Sequence, residues 1–254
     1  MSWAIQRRTL IIFAIVLVAL AVIAVTAISI FYETPSCADG KENQDEEGID
    51  CGGSCQRLCS ASVVPPTVSF VRTLPGIDGR TDIVAYVENP NPSASALQAR
   101  YTIELYREDR TVIAALQGTV DLPPSSSVPI FIPNAYSGVE DVAQAFVMFD
   151  QLSLMFNRDS GGYIVPTATD VRSEVTASPR VTAVINNPSA ETLRLVPVVV
   201  TVFNAEDIVI AASRTVIDVL PPQGQANIVV TWTVPFSEAP SRIDVRPAII
   251  PPQP

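Results

Sequence analysis

The chain has 254 residues, 26 of them acidic and 16 basic, for a formal net charge of −10, and it contains no histidine. The acidic balance excludes a phosphate-binding nucleic-acid surface, which needs clustered Lys and Arg. The lack of His excludes Ser-His-Asp and Cys-His hydrolysis and any His-ligated metal site. The apolar fraction of 48% supplies material for packed cores, and the length allows a membrane segment plus two domains of ordinary size.

The first element is Leu10 to Phe31, LIIFAIVLVALAVIAVTAISIF, with no charge, Pro or Gly. As a helix it spans roughly 33 Å, about the hydrocarbon thickness of a bilayer. Arg7 and Arg8 precede it and Glu33 with further acidic residues follows, so the positive-inside rule puts residues 1–9 in the cytoplasm, a transmembrane helix at 10–32, and the rest outside. Trp3 and Tyr32 stand where amphipathic aromatics favour the interface. The alternative is a cleaved leader, for which Val25-Thr26-Ala27 offers a small-residue site.

Residues 33–62 form an acidic spacer that holds all four cysteines, Cys37, Cys51, Cys55 and Cys59. Outside the cytoplasm an even set of this kind reads as two disulfides, with three connectivities open. A four-cysteine zinc site is the rival, although Cys37 stands alone where zinc ribbons pair two knuckles. The stretch is also rich in hard oxygen donors. Asp39, Asn43, Glu46 and Asp50 are candidate ligands for Ca²⁺, and a solvated acidic linker is the plainer alternative. The string Cys37-x-Asp39-Gly40-x-x-Asn43-x-x-Glu46-x-x-x-Asp50-Cys51-Gly52-Gly53-x-Cys55 resembles a short Cys-rich motif of secreted and surface-exposed bacterial proteins. That resemblance implies a disulfide-bonded spacer with a calcium role. Three residues separate Cys55 from Cys59 where the motif usually has two.

Beyond Ser62, short apolar runs alternate with Pro, Asn, Gly and Ser turns, as in an all-β sandwich. Tyr101, Ile103 and Leu105 alternate with polar residues, as do Val128, Ile130 and Ile132, and then Ile228, Val230, Trp232 and Val234. This is the period of a half-buried strand. Val139 to Phe156 also fits a helical face, but the repeat described next assigns a strand there.

Asn89-Pro90 and Asn187-Pro188 are 98 positions apart, and so are Pro123-Pro124 and Pro221-Pro222. Between them Val-Ile-Ala-Ala recurs at Val112 to Ala115 and Val209 to Ala212, one residue out of step. Ordered landmarks at a fixed offset imply one domain duplicated in tandem, 63–160 and 161–254. Each copy reads as a strand, an Asn-Pro turn, two strands joined by a polar hairpin (Arg107 to Arg110, Asn204 to Asp207), a Pro-Pro crossing between sheets, and closing strands. Val87-Glu88-Asn89-Pro90-Asn91-Pro92, Ile185-Asn186-Asn187-Pro188 and the Pro-Pro turns are similar to those of the Ig-like or fibronectin-III-like β-sandwiches of the late-embryogenesis-abundant (water-stress) and FxLyD types. That resemblance implies two tandem Ig-like sandwiches without shared catalytic residues.

Trp232 on its strand reads as core. Asp170, Asp218 and Asp244 form no acid–base pair in the sequence. The expectation is a non-enzymatic, membrane-anchored extracytoplasmic scaffold or interaction module of the cell envelope, with a protein partner there and no nucleic acid. The alternative is a surface adhesin or carbohydrate-binding protein, with Tyr86, Tyr101, Tyr106, Tyr136 and Tyr163 as candidate contacts.

Overall fold

The computed structural model describes residues 3–31 and 36–252. Tyr32 and Glu33, named above at the outer end of the apolar segment, lie outside the described residues. The chain forms two compact units, Met1–Cys55 and Gln56–Pro254.

In the first unit, helix α1 covers Trp3–Phe31. It begins ahead of the apolar block because Gln6, Arg7, Arg8 and Thr9 are all compatible with helix and no Pro or Gly interrupts them. Its stretch Gln6–Ala27 is long and apolar enough to cross a bilayer, and none of it is buried against protein. The hydroxyl of Thr26 donates to the carbonyl of Val22 (2.7 Å). That of Ser29 donates to the carbonyl of Thr26 (3.0 Å). The two hydroxyls within the apolar stretch are thus satisfied within the helix, as an apolar surrounding demands.

The second unit is all-β. Its strands are β1 (Thr67–Pro75), β2 (Thr81–Asn89), β3 (Ala94–Tyr106), β4 (Val112–Leu122), β5 (Ser126–Tyr136), β6 (Gln144–Phe149), the short β7 (Asn157–Arg158), β8 (Thr167–Glu174), β9 (Arg180–Asn186), β10 (Leu193–Phe203), β11 (Val209–Leu220), β12 (Gln225–Thr231) and β13 (Arg242–Pro247). All pairings are antiparallel, in sheets ordered β1-β2-β5, β4-β3-β6, β8-β9-β12 and β11-β10-β13, with β7 on the start of β3. The inward residues of the first two sheets make one core, around Ile83, Val87, Ile103, Leu105 and Leu122. Those of the last two make a second, around Val181, Ile185, Val198, Val200 and Leu220.

Strands β1 to β6 recur in order as β8 to β13, and among the described residues the short β7 has no counterpart in the second half. β6 and β13 have bounds that differ by 98 positions, Gln144 against Arg242 and Phe149 against Pro247. The recurrent Val-Ile-Ala-Ala marks a shared bulge. Leu105 pairs Ala114 and Tyr106 pairs Val112, which leaves Ile113 without an opposite number. Val202 pairs Ala211 and Phe203 pairs Val209, which does the same to Ile210. The two hairpins also match, closing with Arg110 at φ 66° and Asp207 at φ 60°. In each repeat the Pro-Pro turn carries the chain from one sheet to the other, β4 to β5 and β11 to β12.

Residues 144–149 are strand, not helix. Ala145, Val147 and Phe149 pack on the core while Phe146 and Met148 point out. One alternation runs shorter than expected. β12 ends at Thr231, because its partner β9 begins at Arg180 and Pro235 follows closely. Trp232 still packs against the second core and donates its indole N–H to the carbonyl of Ala212 (3.2 Å), whereas Val234 is exposed.

The Asn-Pro landmarks have a physical purpose. Asn89 is 1% exposed and Asn187 3%. The Asn89 amide nitrogen donates to the carbonyls of Ala94 (2.8 Å), Leu122 (3.0 Å) and Pro123 (2.8 Å). That of Asn187 donates to Glu191 (2.7 Å), Leu220 (3.5 Å) and Pro221 (2.8 Å). Their Oδ1 atoms accept from the backbone N–H groups of Asn91 (3.1 Å) and Ser189 (3.0 Å), each two residues on. The same side chain thus ties the turn after the second strand to the crossing in both copies. Replacing Asn187 by Ala is expected to cost roughly 2–4 kcal/mol, because buried carbonyls lose their donor. Asn187→Asp, which sets a donor-free carboxylate against those carbonyls, should cost more than Ala despite its shape. Urea denaturation of the three proteins checks the order.

Candidate functional site

The sequence singled out the acidic cysteine segment, and the structure resolves its covalent state. Cys37 is bonded to Cys55. Cys51 and Cys59 are disulfide-bonded as well, and no cysteine is free. Oxidation of all four removes the thiolates a zinc site needs. It also disposes of the close grouping of Cys37, Glu46 and Cys55, since disulfide sulfurs are not thiolate ligands. For the same reason the 3.3 Å approach of Cys55 Sγ to Glu46 Oε1 is a contact and not a hydrogen bond.

All four candidate oxygen ligands take part in hydrogen bonds that hold the loop itself. Asp39 Oδ1 accepts from the N–H of Lys41 (2.9 Å), and its Oδ2 accepts from the amide of Asn43 (2.9 Å) and the N–H of Ser36 (3.2 Å). These donors, the Asn43 amide first, hold the Asp39 carboxyl below its ordinary value. Asp50, itself at φ 54°, accepts the N–H of Gly40 on both oxygens (3.0 and 3.1 Å). Glu46 Oε2 accepts the N–H of Asn43 (3.2 Å). Among the described residues, Asn43 Oδ1 is the buried side-chain oxygen left without a partner. The glycine pair of the motif has a steric cause as well: Gly53 sits at φ 53°, and a Cβ there would overlap the carbonyl of Asp45.

A second site was not singled out from the sequence. The outer face of β1-β2-β5 in the first repeat packs on the outer face of β11-β10-β13 in the second. Phe70, Leu74, Val84, Tyr86 and Phe131 meet Val199, Phe203, Val209 and Ala212 in one cluster. Phe70 stacks on Tyr86 (centroids 4.9 Å) and meets Phe203 edge-on (6.1 Å). The guanidinium of Arg242 lies 3.6 Å over the Phe203 ring.

Inside this apolar contact runs a short polar chain. Tyr86 Oη lies 3.1 Å from Thr201 Oγ1 and 3.0 Å from Asp244 Oδ2. A carboxylate can only accept, so the Tyr86 hydroxyl donates to Asp244 and the Thr201 hydroxyl donates to Tyr86. Asp244 is held in turn by Arg246, whose Nε is 2.9 Å from both carboxylate oxygens. Burial, with the Asp244 charge adding to it against the Thr201 hydrogen bond, raises the Tyr86 phenol far above its ordinary value, so it stays a neutral donor. Beside this contact a cavity of about 590 Å³ opens between the repeats, with Tyr101, Val120, Ile130, Val199, Arg214 and Arg246 among its walls. Tyr86 and Tyr101, named as candidate surface contacts, are both buried.

The sequence carried a signal for this interface. β2 reads Ile83-Val84-Ala85-Tyr86-Val87, all buried, and β10 ends in an uninterrupted buried run from Val198 to Phe203. Strands with one wet face alternate, so a continuous apolar run marks a strand covered on both faces. Phe131 is buried between Ile130 and Ile132 for the same reason.

Comparison of the sequence with known protein families and with curated proteins finds no match. Tyr86→Phe is expected to weaken the association of the two repeats by about 1–2 kcal/mol, leaving Asp244 with Arg246 alone. Native-state hydrogen exchange should show the loss at β2 and β10 and not at β6.

Proposed function

We propose that the chain is a single-span membrane protein that holds its two β repeats outside the cytoplasm as a non-enzymatic interaction module of the cell envelope. The observation that carries this reading is a 22-residue apolar helical span with no buried part, in a chain whose four cysteines are all oxidised. Such a helix finds its favourable surroundings in lipid, and disulfides persist in oxidising compartments. Arg7 and Arg8 at the start of the span favour a cytoplasmic N-terminus. The repeats then act through their surfaces, as sandwich modules of the Ig-like and fibronectin-III-like kinds do through loops and sheet edges. The carboxylate in the interdomain contact, Asp244, is committed to Tyr86 and Arg246 and so serves cohesion.

Two outcomes test this. The protein should stay with membranes through alkaline carbonate, and protease added to intact cells should remove the repeats and leave the helix. A soluble product lacking everything up to Ala27 would replace the tether with a cleaved leader.

The unpartnered Asn43 Oδ1 favours one further reading of the acidic segment: weak Ca²⁺ binding through Asp39, Asn43, Glu46 and Asp50 outside the cytoplasm, where such sites work at millimolar calcium. Titration calorimetry of the oxidised chain with CaCl₂ should show saturable heat that Asn43→Ala removes. A flat trace through the millimolar range would eliminate the ion and leave a purely structural spacer.

A further inference from the structure

Counted back from the shared bulge, Tyr101 of the first repeat and Val198 of the second hold the same inward position. Their partners across the ladder, Gly118 and Thr215, match as well. The first repeat thus departs from the second at both members of one pair, and the two changes belong together. A Cβ on Gly118 would overlap the Tyr101 phenol. Glycine inside a strand weakens it and marks a place where another group must come close. Here it makes room for a tyrosine ring whose phenol end lies beside β4, and Tyr101 is a wall of the cavity between the repeats. A buried tyrosine hydroxyl usually finds a partner. Tyr101 is 8% exposed, and among the described residues its hydroxyl has none.

Four charged side chains line the same cavity: Asp121 from β4, Arg214 from β11, and Asp244 and Arg246 from β13. Both carboxylates already accept hydrogen bonds within the chain. Asp244 takes those of Tyr86 and Arg246. Asp121 Oδ1 takes the backbone N–H and the side-chain amide of Gln98 (2.8 and 3.3 Å). Of the ionisable groups around the cavity, those left with hydrogen-bonding capacity and no partner among the described residues are donors. They are the Tyr101 hydroxyl, the whole Arg214 guanidinium, and the two terminal nitrogens of Arg246, whose Nε alone is used by Asp244. Burial raises the Tyr101 phenol above its ordinary value against the pull of the Arg214 charge, so it stays a neutral donor. Donors from both repeats therefore face one space without an acceptor of their own.

We infer that this cavity binds a small organic monocarboxylate, its carboxylate on Arg214 and the Tyr101 hydroxyl and its apolar body against Val120, Ile130 and Val199. The fork of an arginine matches a carboxylate through two parallel N–H groups. Two arginines stand against two aspartates around the cavity, so the site has no charge to spare for a dianion. Its volume of about 590 Å³ lies within the roughly 300–1,000 Å³ of ordinary small-molecule sites. The ligand touches both repeats, so its binding tightens their association.

The test titrates phenylbutyrate by calorimetry into the full-length chain in lipid nanodiscs, with the heat of empty nanodiscs subtracted. Saturable binding is expected, and phenylbutanamide, of the same shape without the charge, should bind roughly ten-fold or more weakly. Arg214→Gln, at an exposed position, should raise the dissociation constant for the acid roughly ten-fold or more. Tyr101→Phe keeps the ring beside Gly118 and should raise it roughly three-fold. Hydrogen exchange at β2 and β10 shows whether each variant keeps its repeats packed, which separates a lost site from a lost fold. In the wild-type chain the acid should slow that exchange. No saturable heat through the millimolar range, equal binding of acid and amide, or binding indifferent to both substitutions overturns the inference. So does tighter binding of phenylbutyl phosphate, which is close to a dianion at neutral pH.

Discussion

Two strands that belong to different sheets must be joined by a chain that leaves one ladder and enters another, and every carbonyl stranded at that crossing needs a donor. Proline is suited to the crossing because it belongs to neither ladder, but it brings no N–H. In both repeats the missing donor is a buried asparagine amide reaching across from the turn after the second strand, Asn89 to Leu122 and Pro123, Asn187 to Leu220 and Pro221. The asparagine precedes a proline, which ends its own strand and directs the amide inward. Each repeat is therefore fastened at the point where its two sheets exchange the chain, and its core can form on that frame. Only an amide serves in this place. The carbonyls need donors, and Oδ1 must accept the N–H two residues on.

Because that frame is internal, the outer faces of the sheets are free to differ, and they do. The faces brought together between the repeats hold Phe70, Tyr86 and Phe131 on one side and Phe203 and Val199 on the other. The chain Thr201–Tyr86–Asp244–Arg246 is satisfied at every member within that apolar surrounding. A half-satisfied network there would be worse than none. Its geometry also makes the contact directional: the tyrosine hydroxyl has one acceptor, and that acceptor is set by an arginine two residues along the same strand. The contact is heterologous, joining unlike faces, and a contact of that kind can repeat indefinitely unless one end is closed.

Much of this architecture could be read from residues. The 98-position offset, the hairpins at Arg107 and Asn204 and the Pro-Pro crossings all lie where local chemistry put them, because turns and proline act over a few residues. The strand at 144–149 was ambiguous on periodicity alone, and only the repeat decided it. Three things were not legible, each for a physical reason. The cysteine pairing depends on where a small loop without a core places its β-carbons, which spacing does not determine. The turn-holding role of Asp39, Glu46 and Asp50 was hidden because a carboxylate that caps a turn and one that binds a cation have the same composition. In the folded loop each of the three accepts a backbone N–H. The interface between the repeats was visible in principle in the unbroken run Ile83 to Val87, but a continuous apolar strand says only that both faces are covered, and not by what.

The distribution of polarity along the tandem follows from the same constraint on open-ended contact. Stacked modules remain soluble when the terminal face is polar. On the second repeat that condition is met by replacement: Thr169, Thr182 and Asn227 line the free sheet, Asn186 bonds Thr169 across it (3.0 Å), and Arg180 pairs with Glu174. On the first repeat the terminal face departs from the condition at Phe146 and Met148 of β6 and at Val112 of β4, while β3 between them keeps Thr102 and Glu104. An edge strand that alternated at random would show no such segregation. β6 keeps Ala145, Val147 and Phe149 for the core, so its outward apolar pair adds nothing to the interior of its own repeat. Phe146 instead packs edge-on against the Tyr106 ring of its own repeat, on the outer face of the same sheet.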